Sequence, residues 1–405
     1  MVNDTANFIA GFGIIPNDWS CKTANEICTK ISKGTTPPKS EISNEGKIPF
    51  LRVNNLTFHG HLALDSDFIF VSKESHENFL SRSMAFPNDI LMNIVGPPLG
   101  KTALLDDSYP EYNMNQAIVF YRLQKNLVDS KYFLEFLNSF KAQQWLQSRS
   151  KKTSGQQNLT IEICKELPII LPSLLEQKKI AQILLTWDQA ILTTEKLLQN
   201  SQQHKKALMQ QLLTGKQRLL DENGVIFQEK WLEVLLGNIA KITTGSSNRQ
   251  DSTLSGKYAF FDRSEDIRTS DMYLFDCEAV IVPGEGQDFV PKYFVGKFDL
   301  HQRTYAIMDF PKCDGKFLFY IIDYFRAYFL SQAVGSTVKS LRLPMFQKMK
   351  LVIPCLDEQK KIAKFLTIAD QEIDTLQKKI ACLKQEKKAL MQQLLTGKKR
   401  VKVAA

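Results

Sequence analysis

The residues of this chain best equipped for chemistry are short polar clusters in which lysine or arginine alternates with hydroxyl and amide side chains. In the first half they are Lys33, Thr35, Thr36 and Lys39, then Asn115 with Gln116, then Lys151, Lys152, Ser154, Gln156, Gln157 and Asn158. The second half offers Lys241, Thr243, Ser246, Asn248, Arg249 and Gln250, then His301, Gln302 and Arg303, then Lys339 and Arg342. Arginine and lysine match the acceptors of guanine, asparagine and glutamine match the mixed edge of adenine, and hydroxyls with lysine hold phosphates. Any one of these residues alone is ordinary surface. As a set, in a chain of formal net charge +9, they suit a polyanionic partner.

More familiar chemistries fail on spacing. VGPPLGKT from Val95 resembles a phosphate-binding loop, but the required first glycine is replaced by Val95, and Pro97 and Pro98 remove amide donors. EQKK occurs twice and offers the E-x-K of a nuclease, yet Glu176, Lys178, Glu358 and Lys360 have no partner aspartate on a neighbouring strand; a solvated helix face accounts for them. There is no GxGxxG fingerprint, no base-methylation signature and no metal-ligand spacing among the five histidines. The seven cysteines lack CxxC spacing and read as idle thiols. The chain therefore reads as a non-enzyme that binds no cofactor of its own. Without a long apolar run or a basic-then-apolar leader, it is expected to be soluble and cytoplasmic.

The elements that must position these clusters are duplicated. KKALMQQLLTGK occurs at Lys205 to Lys216 and again at Lys387 to Lys398, and at the same offset LPSLLEQKKIAQIL from Leu171 matches IPCLDEQKKIAKFL from Ile353. Ile362, Leu366, Ala369, Ile373, Leu376, Ile380, Leu383, Leu390 and Leu394 follow steps of three and four, interrupted by Lys387, which is a heptad seam. The first copy repeats it, weakened at Thr194, Ser201 and Lys205. Each helix begins after a proline with a carboxylate in its first turns and stops at Gly215 or Gly397. About 38 residues make a rod of roughly 57 Å, and two matching seams pack most simply as an intramolecular coiled coil. The apolar residues of the LMQQLL segments, Met209 and Met391 among them, are expected to be partly covered by a partner.

Between the rods lie two segments with shared landmarks. Each has a tryptophan (Trp19, Trp231), a glycine-led polar loop, an apolar-aromatic strand (IPFLRV, YAFFDR), a second strand (DILMNIV, EAVIVPG), the Asn115-Gln116 or His301-Gln302 pair, an aromatic helix, a polar loop, and a strand running into the rod. This order predicts a compact α+β domain, duplicated, with a kept framework and diverged loops.

The Pro-x-x-x-Glu-Gln-x-x-Ile at each rod start, the repeated Asp188 and Asp370, Asn-Gln-Ala at Asn115, the GTTP loop at Gly34 and the LLTGK rod ends resemble the specificity subunit, HsdS, of type I restriction-modification systems. The likeness spans nearly the whole chain; the second unit departs from it with His301-Gln302-Arg303 and no proline in its glycine-led loop. It implies an α+β fold with two target recognition domains, residues 1–171 and 219–353, separated by conserved helices at 172–218 and 354–405 that form an antiparallel coiled coil. Each domain would read one half of a split site on double-stranded DNA. The helices would dock two methyltransferase subunits, joined by two restriction subunits, with S-adenosylmethionine, ATP and magnesium on those partners. Rivals are a coiled-coil scaffold that binds no DNA and an NTP-dependent enzyme. If the rods run antiparallel they act as a ruler, since DNA repeats a groove face about every 34–36 Å. Inserting four residues after Leu212 is then expected to lengthen the unread spacer while both half-sites stay the same; methylation mapping reads the spacer directly.

Overall fold

The computed structural model describes residues 7–63, 68–153 and 155–402. Its contacts divide the chain into two compact units: Met1–Thr194 with Lys379–Ala405, and Glu195–Lys378. Each unit takes one half of each of two 39-residue helices, α1 (Leu174–Leu212) and α2 (Leu356–Leu394). Among the described residues no helix is long and apolar enough to cross a membrane.

Within the first unit, the start of α1 lies against the end of α2, so the helices run antiparallel. Arg400, just past α2, grips Glu176 with Nε at 2.8 Å and Nη2 at 2.9 Å, and the Trp19 indole donates to the same carboxylate at 3.2 Å. The second unit repeats this arrangement. Arg218, just past α1, donates twice to Glu358 at 2.7 Å, and Trp231 donates to it at 3.3 Å. Glu176 and Glu358 are thus buried, at 2% and 0% exposure, which corrects the expectation of a solvated face. Their neighbours in the motif are equally engaged. Gln177 accepts from the Asp129 N–H at 3.0 Å and donates to the Pro172 carbonyl; Gln359 does the same with Asp314 at 2.9 Å and Pro354. Asp129 and Asp314 in turn cap the aromatic helices Ser130–Asn138 and Gly315–Tyr324. Each Glu-Gln pair therefore bolts a globular fold to the root of its helix.

The seam is real. Ile180, Leu184, Ile191, Ile362, Leu366, Ala369, Ile380 and Leu394 are buried. The interruptions are also explained. Lys387 sits 2.6 Å from Asp188 and 2.9 Å from Glu135, while Lys205 sits 2.5 Å from Asp370 and faces the Tyr320 ring. Thr194 returns its hydroxyl to the Ala190 carbonyl at 2.7 Å, and Ser201 donates to Glu372. Lys205 and Lys387 are therefore paired, half-buried groups, not solvated flanks. The LMQQLL segments are covered by the chain itself: Leu394 and Leu395 lie in the core of the first unit, and Met209, Leu212 and Leu213 in that of the second.

Each unit adds β-structure that includes one parallel pair. In the first, Thr102–Leu104, Ile90–Asn93, Ile118–Leu123 and Cys28–Lys33 lie side by side, all antiparallel. A second sheet pairs Asn113–Met114 parallel to Ile48–Leu51. Tyr132, Phe133 and Phe136 pack the aromatic helix into the core, each burial stabilising by about 1.5–3 kcal/mol. In the second unit the strands form one sheet, in the order Lys241–Thr244, Thr304–Met308, Phe275–Pro283, Lys292–Leu300, Tyr258–Phe261, Arg268–Ser270, again with one parallel pair. The strands running into the rods pair with Ser20–Thr23 and Leu232–Leu235.

Glu135 carries a pH dependence. Burial pushes its carboxyl up to about 7, Lys387 opposes the rise, and Asp188 adds to it. The folded chain thus holds this proton more tightly than the unfolded chain. The resulting stability is full below the ordinary value of 4.5 and is lost as pH rises through about 7. Glu135→Gln is expected to flatten the fall in thermal midpoint between about pH 5 and pH 8, as followed by circular dichroism.

Candidate nucleic-acid interface

Sheet topology gathers the polar clusters of each unit at one end of its strands. In the first unit, Val119 pairs with Lys33 and Ile118 with Asn93, so the loops after Lys33, before Ile118 and after Asn93 leave the sheet together. Backbone bonds knit them: Gly34 N–H to Ile118 O at 2.9 Å, Thr35 N–H to Met114 O at 3.0 Å, and Ile94 N–H to Ala117 O at 2.8 Å. Gly34 permits this closeness, because a Cβ there would lie 2.0 Å from the Asn115 oxygen. The distal polar loop joins as a hairpin, Lys151–Thr153 with Gln156–Asn158, whose inner strand pairs with Val95–Gly96. The segment that mimics a phosphate-binding loop is therefore a sheet edge followed by strand Thr102–Leu104, with no helix N-terminus to face a phosphate.

The second unit repeats the same geometry. Thr244 pairs with Tyr305 and Pro283 with Thr304. Gly284 N–H bonds Arg303 O at 2.8 Å, and Gln302 N–H bonds Ser247 O at 2.9 Å. A Cβ on Gly245 would meet the Leu300 oxygen at 1.7 Å. Glu285–Gly286 pairs with Lys339–Ser340, in the role of the hairpin of the first unit.

These frames bring most candidates together. In the first unit Thr36 bonds Gln116, Asn115 accepts from Ala117 N–H at 3.2 Å, and Lys33, Lys39 and Gln116 are exposed. Gln156, Gln157 and Asn158 border the same end, with Lys151 on the outer strand opposite Asn158. Ser154 and the Lys152 side chain lie outside the described residues. In the second unit Gln302 donates to Asn248 at 2.7 Å, with Ser246, Arg249, Gln250, His301, Arg303 and Lys339 around them. Lys241 is a correction: it begins the strand at the far end, 4.0 Å from Asp309. Thr243 lies within that strand opposite Ala306, and Arg342 leads into helix Leu343–Gln347.

Sequence reasoning missed the supports and several cations. Asn113 and Asp299 are both fully buried. Asn113 accepts from Ser83 at 2.7 Å, and Asp299 accepts from Ser247 at 2.6 Å; each also accepts from the next backbone N–H. Asp299 anchors the glycine-led turn from beneath through Ser247, whereas Asn113 ties its strand to the segment at Leu80 and Ser83. Arg82 donates to Thr35 at 3.0 Å. In the second unit Arg263, Arg268, Asp262 and Glu285 join the rim, lining with Arg249, His301 and Arg303 two adjoining clefts. The signal was local: Asp262-Arg263 follows YAFF, just as Arg52 follows IPFL. Burial holds His301 below its ordinary value, and its Nδ1 accepts from the Arg303 N–H at 3.1 Å; a neutral ring with Nε2–H as donor fits both.

A two-domain framework bearing two polar ends on a helix pair defines a class, and the comparisons give it a family. The type I restriction modification DNA specificity domain matches residues 16–201 and again 228–385. The chain belongs to that family. It is 27% identical over 419 residues to a putative type I restriction enzyme MjaX specificity subunit of Methanocaldococcus jannaschii, covering 96% of each chain. A second relative there, the MjaVIII specificity subunit, is 28% identical over 312 residues, covering 69% of this chain and 72% of the relative. The crystal structure of the type I restriction-modification S subunit from M. genitalium shares the fold, at TM-score 0.63, 17% identity and 97% coverage of both chains.

Gly34→Ala and Gly245→Ala are each expected to destabilise their unit by roughly 2–3 kcal/mol through backbone overlap, measured by denaturant unfolding. Gly155→Ala, where a Cβ meets nothing within 4 Å, serves as the control: strained by its positive φ but free of overlap, it is expected to cost less.

Proposed function

We propose that this chain is the DNA-reading subunit of a type I restriction-modification assembly, each unit recognising one half of a split target through the loops at its polar sheet end. The observation that carries this reading is the duplication of the site itself: two frames that share backbone bonds, Ile94 to Ala117 with Gly284 to Arg303 and Asn115 to Leu51 with His301 to Phe261, hold different side chains, as two half-sites of different sequence require. The helix pair serves as spacer between the half-sites. Recognition is this chain's contribution; methyl transfer and cleavage, with S-adenosylmethionine, ATP and magnesium, belong to two methyltransferase and two restriction partners. The reading is supported by family membership and by the exposed basic and amide side chains at both sheet ends. Residues Phe365 and Ile368, exposed at 50% and 52% on one face of α2, suit a methyltransferase contact.

The test is binding of the chain, assembled with its methyltransferase, to genomic DNA fragments by gel shift. Affinity is expected to fall steeply with salt, since each phosphate contact contributes a slope of about −0.9 in log affinity against log salt. A flat salt response, or equal retention of all fragments, counts against the reading. Phe365→Asp with Ile368→Asp is expected to reduce methyltransferase co-purification while leaving the thermal midpoint within a few degrees.

A further inference from the structure

The departure of His301-Gln302-Arg303 from Asn115-Gln116-Ala117 is not isolated. The bonds Ile94 N–H to Ala117 O and Gly284 N–H to Arg303 O are equivalent, so Val95 in the first unit stands where Glu285 stands in the second. An apolar pair, Val95 and Ala117, is replaced by an ion pair between Glu285 and Arg303. Glu285 also faces Arg263 at 3.9 Å through its other oxygen. A second carboxylate repeats the pattern. The parallel pairings Leu51 with Met114 and Phe261 with Leu300 make Asp262 the counterpart of Arg52, and Asp262 lies 3.6 Å from Arg268 and 3.9 Å from Arg249.

The carboxylates are recessed and the guanidinium groups are not. Side-chain exposure is 3% for Asp262 and 17% for Glu285, against 56% for Arg249, 56% for Arg263 and 62% for Arg303. The Glu285 carboxylate hydrogen-bonds one edge of the Arg303 guanidinium and leaves its remaining N–H donors in a fixed plane, while Arg263 and Arg249 lie at ion-pair distance, 3.9 Å, from Glu285 and Asp262. Arginines held this way make poor phosphate clamps, because the carboxylate behind each would repel a phosphate at close range. Both oxygens of Glu285 already face arginine, so it is not left to read cytosine. What remains is a set of exposed planar forks, and the base edge that takes a two-donor fork is that of guanine, through O6 and N7.

Resting on the reading of this chain as a DNA specificity subunit, we propose that the second unit reads guanine through Arg303 and Arg263, with Glu285 as the residue that positions them, and through Arg249 with Asp262 behind it. The first unit has Val95, Ala117 and Arg52 at the matching places, with hydroxyl and amide groups beside them, and reads a different set of bases. The Arg303 fork is hydrogen-bonded to Glu285 before DNA arrives, so less of its side-chain freedom is lost on binding.

The experiment uses the full chain assembled with its methyltransferase, offered a pool of randomised duplex DNA, with the bound fraction sequenced. Wild type is expected to enrich a two-part sequence. Arg303→Lys is expected to lower guanine preference about tenfold or more at one or more positions of a single half-site, the discrimination carried by one two-donor contact, and to leave the other half-site intact. Glu285→Gln keeps the size and a hydrogen-bond acceptor but loosens the fork. It is expected to relax the same positions while binding to unrelated DNA is equal or tighter, since a negative charge has been removed. A purely structural role for Glu285 would instead lower binding to all sequences alike, and that result overturns the proposal. So does a half-site altered by Arg303→Lys that contains no guanine on either strand. A wild-type pool without any enriched sequence removes the DNA-specificity reading itself, and this inference with it; enrichment without guanine removes only the inference.

Discussion

The structure depends on four buried or half-buried charges on the two long helices, each answered from the far end of the other helix. Glu176 and Glu358 would be costly in an apolar setting unless paired and hydrogen-bonded. Each receives a two-pronged arginine and an indole N–H, from Arg400 and Trp19 or from Arg218 and Trp231. Further along the helices, Lys387 meets Asp188 and Lys205 meets Asp370. An apolar seam alone tolerates slippage by a heptad; a charge buried at one seam position does not, because any other register leaves it unmatched. The same contacts that hold the helices in register also clamp each sheet domain to a helix root. Register and domain placement are thus one constraint.

From that clamp the binding ends follow. Gln177 and Gln359 fix the caps of the aromatic helices, those helices pack the faces of the sheets, and the sheets bring distant loops out side by side. The frame is nearly the same in both units down to single backbone bonds, while the side chains on it have diverged. Glycine at 34 and 245 permits strands and turn to touch, and in the second unit the buried Asp299 ties the turn from below. The two units even solve one buried position differently: where Glu135 shares Lys387 with Asp188, the second unit places the Tyr320 hydroxyl 2.6 Å from Asp370.

Much of this was legible in the sequence because repeats and periodicity are local signals. The helices, their seam, the aromatic helices, the tryptophan landmarks and the paired loops could all be read from spacing. What could not be read were relations across the chain. Glu176 looks like a solvated first-turn carboxylate until Arg400 is brought beside it, and Lys387 looks like a flaw in a seam until Asp188 answers it. Lys241 was grouped with the loop that follows it because the strand's length was not evident; three residues of extended chain carry it to the other end. Strands Lys151–Thr153 and Gln156–Asn158 read as loop in the sequence since their pairing partner, Val95–Gly96, is remote. Glu285 and Asp262 went unnoticed because acidic residues are unexpected at a surface for a polyanion, and only their recessed positions show their use.

The division of the helices also sets an order of events during synthesis. The second unit draws only on residues 195–378, whereas the first unit, although begun first, lacks Leu394, Leu395 and Arg400 until residues 379–400 have been made. Until then Trp19 and Glu176 wait without their arginine and an apolar groove stands open. A chain truncated after Lys378 and released would therefore keep every residue of the second unit and leave the first unsealed, so loss of residues 379–400 falls on the unit begun earliest.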